Sequence, residues 1–284
     1  MGEPGIGKTR LLDELGLRAD ARGHLVLSGS ASELEQELPF WVFVDALDEY
    51  LQGLEPRRLD FLDEDVRSQL AHVFPALPAG SDGVAQQDER SRTHRAVRRL
   101  LEALAATKPL VLVLDDLHWA DSGSIELLGS LLRRPPAAAV LLAFAVRPRQ
   151  APERLSGALE RAYGAGTLTR IELGSLNADE ARQLLGSAVD GAGAAELYRE
   201  SGGNPFYLQQ LARAPRRVNQ ETADPGIALA DVQLPHAVAV ALSDELALLS
   251  DHVRRVLEGA AIAGDPFEPE LVAAAAGVPE SDAL

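Results

Sequence analysis

The sequence predicts an α/β fold, a parallel sheet covered by helices on both faces and followed by a helical region. Three observations predict it. Short, wholly apolar runs such as "LVLVLDD" (110–116) alternate with helix-patterned stretches. A glycine-rich loop, "GEPGIGKT", leads directly into a helix. Beyond about residue 175 the strand pattern stops and only helical periodicity continues.

The elements follow in order. Lys8 to Arg22 is a helix with Leu11, Leu12 and Leu15 on one side, and "HLVLSGSA" (24–31) is a short strand and turn. Residues 39–53 begin with proline and continue as an apolar, buried helix, whereas 75–87, rich in Pro, Gly, Ala and Ser, form a surface loop. A long amphipathic helix, "ERSRTHRAVRRLLEALAATKP", stops at Lys108-Pro109 and gives way to the clearest strand, 110–116. A helix at about 122–133, a strand at 139–146, a helix at about 152–163 and a third post-loop strand of this kind at 168–173 complete the alternation. Helices are expected at 177–188, 193–201, 204–213 and, with a break, 235–262. The expected division is an α/β core at 1–175, a helical lid-like part at 176–213, and a linker (214–234) with a partial winged-helix-like region up to 284.

Composition narrows the function. Hydrophobic residues make up 46% and charged residues 25% of the 284, as in an ordinary globular protein long enough to bury a real core. There is no cysteine, so disulfides and thiolate metal sites are excluded, and the six scattered histidines make zinc an unpromising ligand. The longest apolar run, Ala137 to Val146, is too short to span a membrane, and no signal-peptide pattern is visible, so a cytoplasmic location is expected. A formal net charge of −16 argues against direct binding of nucleic acid by this chain.

The chemistry lies at sheet-edge positions. "GEPGIGKT" fits G-x-x-x-x-G-K-[ST] at Gly2, Gly7, Lys8 and Thr9, with a further glycine at Gly5. Glycines let successive backbone N–H groups turn inward around phosphate oxygens, and the helix that starts at Lys8 presents its positive end to the same anion. Lys8 is the candidate to neutralise β- and γ-phosphates, Thr9 to ligate Mg²⁺, and Ile6 and Arg10 fall within the same binding stretch. The plainer reading is a glycine turn capping a helix. "LVLVLDD" ends at the carboxyl edge of the sheet, where Asp115 is expected to hold Mg²⁺ through water and Asp116 is the candidate that orients or deprotonates an attacking water; the plainer reading is a strand ending in a polar turn. Asp121 is read as the N-cap of the next helix. Arg147, at the end of "LLAFAV", is either a γ-phosphate sensor or a polar residue leaving a buried strand. His118 and Trp119 either pack or act. "GGNPFY" (202–207) has a structural explanation in full: glycine ends one helix, Asn204 caps the next and Pro205 opens it.

Taken together, "GEPGIGKTRLL", "LVLVLDDLHWADSGSIELL", "AVRPR" and "SGGNPFYLQQL" resemble the ATPase module of STAND-class signalling proteins, the Orc1-like AAA type found in large ATP-binding LuxR-type transcriptional regulators. The resemblance runs from residue 2 to the end, with 234–277 similar to the winged-helix segment that follows the ATPase module there. It implies that Gly2, Gly5, Gly7, Lys8 and Thr9 bind ATP phosphates and Mg²⁺, that Asp115 and Asp116 are the Walker B pair, that Arg147 sits at the sensor position, and that Pro205 lies near the adenine. The implied role is a slow ATPase switch exchanging ATP for ADP and acting on effector domains or a protein partner.

The sequence departs from that family at both ends. The family's base-binding motif and first strand are not seen upstream, nor its sensor repeats and DNA-binding domain downstream. The fold expected is therefore a P-loop sheet lacking its first strand, with Met1 either a mis-assigned start or the scar of a gene split. Unpaired backbone groups next to such a gap cost about 1–3 kcal/mol each when buried. The competing expectations are a non-catalytic fragment or interaction module that binds no nucleotide productively, and a small-molecule kinase, against which the "DDLHWAD" and "GNPFY" stretches speak.

Overall fold

A three-stranded parallel sheet in the order β1-β2-β3 is built from β1 (Leu25–Ser30), β2 (Leu110–Asp115) and β3 (Val140–Phe144). It belongs to the first of two units, Met1–Ser175, and the second is Leu176–Leu284. The computed structural model describes residues 1–54, 62–77, 89–213, 239, 242–243, 246–247, 249–263 and 268–279. Pairing runs from Leu25↔Leu110 to Ser30↔Asp115 on one side of β2, and from Leu110↔Val140 to Leu114↔Phe144 on the other. The parallel register brings Ser30, Asp115 and the residues just after Phe144 to one edge.

β2 is apolar at successive positions because both of its faces are covered. Leu110, Leu112 and Leu114 lie in the large core with Val42, Phe43 and Leu47 of α2 (Trp41–Gln52), Leu100 and Leu101 of α4 (Glu89–Leu104), and Leu127 and Leu128 of α5 (Ser122–Arg133). Val111 and Val113 face the other way, onto Leu12 and Ala19 of α1 (Lys8–Asp20). Gly29 lets α2 lie directly on β1. A Cβ there would stand 2.5 Å from the Val42 carbonyl oxygen and 2.7 Å from the Ala46 nitrogen. The first unit also contains α3 (Glu64–Ala71), for which the sequence pattern prompted no element, and α6 (Glu153–Gly164). The helix expected to reach Lys108 ends at Leu104, where Ala105 and Ala106 bond back in turns to Leu101 and Ala103.

One expected strand is not formed. Residues 168–173 carry no strand, although they touch the start of the chain: the Met1 amino group donates to the Ile171 carbonyl at 2.7 Å, and the Leu173 N–H donates to the Met1 carbonyl at 2.9 Å. Two bonds to a single residue do not make a ladder, and Ile171 is left 59% exposed.

The second unit starts with α7 (Ala178–Leu185), which a capping box closes: Asn177 accepts from Asp179 and Glu180 N–H while Glu180 accepts from Asn177 N–H. α8 (Gly191–Ser201) and α9 (Pro205–Arg213) pack with it through Ala181, Leu197 and Leu208. α10 (Asp251–Ala263) and α11 (Pro269–Ala276) lie close, since a Cβ on Gly259 would be 2.7 Å from the Val272 carbonyl oxygen. The linker expected at 214–234, the loop residues 78–87 and parts of the expected winged-helix region lie outside the described residues.

Candidate functional site

The loop between Gly2 and Thr9 depends on backbone shapes that side chains resist. Gly5 (φ 72°) and Gly7 (φ 98°) are left-handed, and Gly7 is the N-cap of α1 with its carbonyl accepting from Leu11 N–H at 3.0 Å. Gly2 is needed for closeness: a Cβ there would meet Ile6 Cγ2 at 2.7 Å and the Leu173 carbonyl oxygen at 3.0 Å. Ile6 is buried beneath the loop. The first N–H groups of α1 have no partners within the helix, which makes this end a place for an anion.

Lys8 turns back into this loop. Its Nζ donates to the Glu3 carbonyl at 2.9 Å, and the residue is only 8% exposed. Burial is the main force holding the ammonium below its usual pKa. Arg147 pushes the same way, against Asp116, Asp115 and Glu3. These mutual effects show that the loop cation, both aspartates and Arg147 share one electrostatic neighbourhood.

The loop is joined to the central strand by one contact: Thr9 Oγ1 donates to Asp115 Oδ2 at 2.6 Å, across 106 residues of sequence. The other oxygen, Asp115 Oδ1, accepts from Asp116 N–H at 2.7 Å. A hydroxyl and a carboxylate held this close are hard oxygen donors of the kind Mg²⁺ prefers, so the residues fit that ion. Among the described non-glycine residues with left-handed backbone are Phe40 and Asp116, the latter at φ 50°. Aspartate tolerates that region better than most residues. The Asp116 carboxyl is raised above its ordinary pKa, by burial first and then by the Asp115 charge, with Arg147 and Lys8 opposing. A carboxylate shifted toward neutrality is a better proton acceptor near neutral pH.

Behind Asp116 lies His118, whose side chain is completely buried with Nδ1 3.8 Å from Asp116 Oδ1. Neither ring nitrogen has a hydrogen-bond partner. Burial, then Arg147 and Lys8, push it down to about 4, so the imidazole is neutral at pH 7. Its ring lies against Trp119, with centroids 5.2 Å apart. Arg147 Nη1 donates to Gln150 Oε1 at 3.3 Å while its Nε is buried without a partner.

Lys8, Thr9, Asp115, Asp116 and Arg147 are thus brought together in the first unit. Arg10 is exposed on α1, and Pro205 is the first residue of α9 in the second unit, after Asn204, whose side chain accepts from Phe206 N–H at 3.0 Å. Asp121 caps α5, accepting from Ser124 N–H at 2.9 Å. Sequence reasoning missed Glu3, whose carbonyl holds Lys8 and whose carboxylate meets Arg149 Nε at 3.5 Å. It occupies a variable position of the loop pattern and acts on Lys8 through its backbone, which leaves no side-chain signal.

With this geometry in place, comparison with known proteins adds the following. Residues 1–143 match the family profile of the AAA ATPase domain. The chain is 29% identical over 250 residues to an uncharacterized protein of Rhizobium meliloti (strain 1021), with 75% of this chain and 22% of that protein covered. It therefore spans about a fifth of the length of that curated relative. Among solved structures, a lysine-to-arginine mutant of Thermotoga maritima RuvB aligns with 99% of this chain and 84% of that one, at 16% identity and a TM-score of 0.30.

Proposed function

Because the chain belongs to the AAA ATPase domain family, we propose that its nucleotide is ATP, held with Mg²⁺ at the glycine loop, and that the module is a slow ATPase switch of a STAND-type transcriptional regulator. The observation that carries the proposal is the 2.6 Å contact between Thr9 and Asp115, which joins the phosphate loop to the acid at the end of the central strand. In this reading the loop amides and Lys8 receive the β- and γ-phosphates, Lys8 leaving the Glu3 carbonyl to do so. Thr9 and Asp115 hold Mg²⁺, which supplies neutralisation of phosphate charge when bound. Asp116 accepts a proton from the attacking water, helped by its raised pKa. Arg147 reaches the terminal phosphate and registers its loss. The proposed location is the cytoplasm and the proposed partner an effector domain or protein. No helix among the described residues is long and apolar enough to cross a membrane.

Calorimetric titration with ATP and Mg²⁺ tests this. Wild type is expected to bind saturably, and Lys8→Ala and Asp115→Ala each to weaken binding by at least about tenfold, equivalent to one lost charged contact. Equal affinity in all three proteins sinks the assignment. Phosphate release that survives Asp116→Asn at the wild-type rate removes Asp116 from the mechanism.

A further inference from the structure

The chain has 43 acidic residues against 27 lysines and arginines, yet one cavity has the opposite balance. It is a partly open cleft of about 740 Å³ in the first unit between α4, α5 and α6, and its lining includes Arg95, Arg98, Arg133, Arg134 and Arg161 with no aspartate or glutamate. None of the residues of the glycine loop, nor Asp115, Asp116 or Arg147, belongs to its walls.

Few acids face these guanidinium groups. Arg95, Arg133, Arg134 and Arg161 form no ion pair among the described residues. Arg98 Nε is buried without a hydrogen bond, and its ion-pair partner, Glu102, stays 3.8 Å away. Glu102 already accepts from Ala137 N–H at 2.8 Å. Glu126, whose charge acts on His94, is shared between Arg90 (3.3 Å) and Arg154 (3.5 Å). His94 Nε2 is buried with no partner.

Part of this has a local cause. Arg133 and Arg161 stand in the last turns of α5 and α6, where a cation complements the helix dipole. Arg95 and Arg98 have no such reason, since they lie mid-helix in α4 and join the other three across the cavity. Arg95, Arg133, Arg134 and Arg161 are exposed, so solvent screens their mutual repulsion and their forks are open to a polyanion that enters the cavity. Guanidinium forks suit phosphate oxygens in pairs. The floor is apolar, with Leu132, Ala158 and Ala162 buried, and the volume is that of a small-molecule site.

We propose that the cavity between α4, α5 and α6 is a second anion site, independent of the glycine loop, that binds a small molecule carrying two or more linked phosphates. The linked phosphates come either from an inorganic oligophosphate or from the tail of a nucleotide, whose base the apolar floor receives.

The test uses the full chain carrying Lys8→Ala, so that the loop is disabled, titrated calorimetrically with inorganic tripolyphosphate and, separately, with ATP in the absence of Mg²⁺. The proposal expects one saturable site for tripolyphosphate, weakened at least about tenfold by adding Arg98→Gln and Arg133→Gln, and unchanged by adding Arg18→Gln on a distant face. ATP binding more tightly than tripolyphosphate assigns the nucleotide source, and ATP binding no more tightly assigns the inorganic one. Circular dichroism and melting curves establish that each variant is folded, and Arg98→Lys with Arg133→Lys, which keeps the charges, serves if the glutamine pair is not. It is expected to retain more affinity than a chain in which the charges are removed one at a time. No saturable binding by the Lys8→Ala chain overturns the proposal, as does equal affinity with and without the arginines. Neither result bears on the loop, whose ATP affinity is read in the wild-type comparison above.

Discussion

Removal of the Asp121 carboxylate is expected to unlock two helices at once. Asp121 Oδ1 accepts from Phe40 N–H at 2.9 Å and Ser124 N–H at 2.9 Å, and Oδ2 accepts from Trp41 N–H at 3.1 Å and from the Ser124 hydroxyl. One side chain therefore caps α5 and ties down the start of α2, although Phe40 and Asp121 are 81 residues apart. Loss of an N-cap alone costs about 0.5–2 kcal/mol. Asp121→Ala also strands the Phe40 N–H, whereas the Trp41 N–H keeps the Leu38 carbonyl at 3.3 Å. With the Phe40 and Ser124 N–H groups left unsatisfied at about 1 kcal/mol each, the low end of the range, the total is about 2 kcal/mol. Asp121→Asn keeps the Oδ1 acceptor and loses mainly the Trp41 bond, so roughly half that cost is expected. The chain's two tryptophans, Trp41 and Trp119, both belong to the first unit, so their fluorescence in a urea titration reports on it. A loss under about 1 kcal/mol for Asp121→Ala, or an Asp121→Asn as damaging as the alanine, would refute the two-helix argument.

Gly29→Ala is expected to destabilise the first unit by about 1–3 kcal/mol or more, because the clash is with the backbone of α2 and no side chain can swing aside. An unchanged urea midpoint would mean that α2 is free to slide on β1. His118 predicts a dependence on pH. Its folded pKa of about 4 lies below the ordinary 6.5, so the unfolded chain takes up a proton that the folded one refuses as pH falls through that interval. The neutral imidazole's contribution is complete above pH 6.5 and is lost toward pH 4, amounting to about 3 kcal/mol. Wild type is therefore expected to lose more stability than His118→Leu between pH 7 and pH 4, and parallel stability curves would rule this out.

Much of the first unit was legible because its signals are local. β2 announces itself by five successive apolar residues before Asp115, the glycine loop by its spacing, and α5 by the capping aspartate directly before it; its predicted span of 122–133 is the observed one. The stretch 168–173 misled for a physical reason. Its alternation suits a strand, but a strand exists only by pairing, and among the described residues its backbone bonds run to Met1 alone. α3 escaped notice because eight residues with two buried side chains, Val66 and Leu70, give little periodicity to read. Within the site, residue types were legible and partnerships were not. Nothing in the sequence says that Lys8 bonds to a backbone carbonyl, that Asp116 takes a left-handed turn, or that His118 is sealed from solvent.

The bond from Lys8 to the Glu3 carbonyl makes the loop its own competitor. Any phosphate that takes the lysine has to outbid an acceptor covalently tethered five residues away, whose effective concentration does not fall as the solute is diluted. Affinity at this loop is therefore a difference between two bonds to the same cation. Because the rival is main chain, no side-chain replacement at position 3 deletes it, and changes in loop shape at Gly5 or Gly7 set the threshold an anion must exceed.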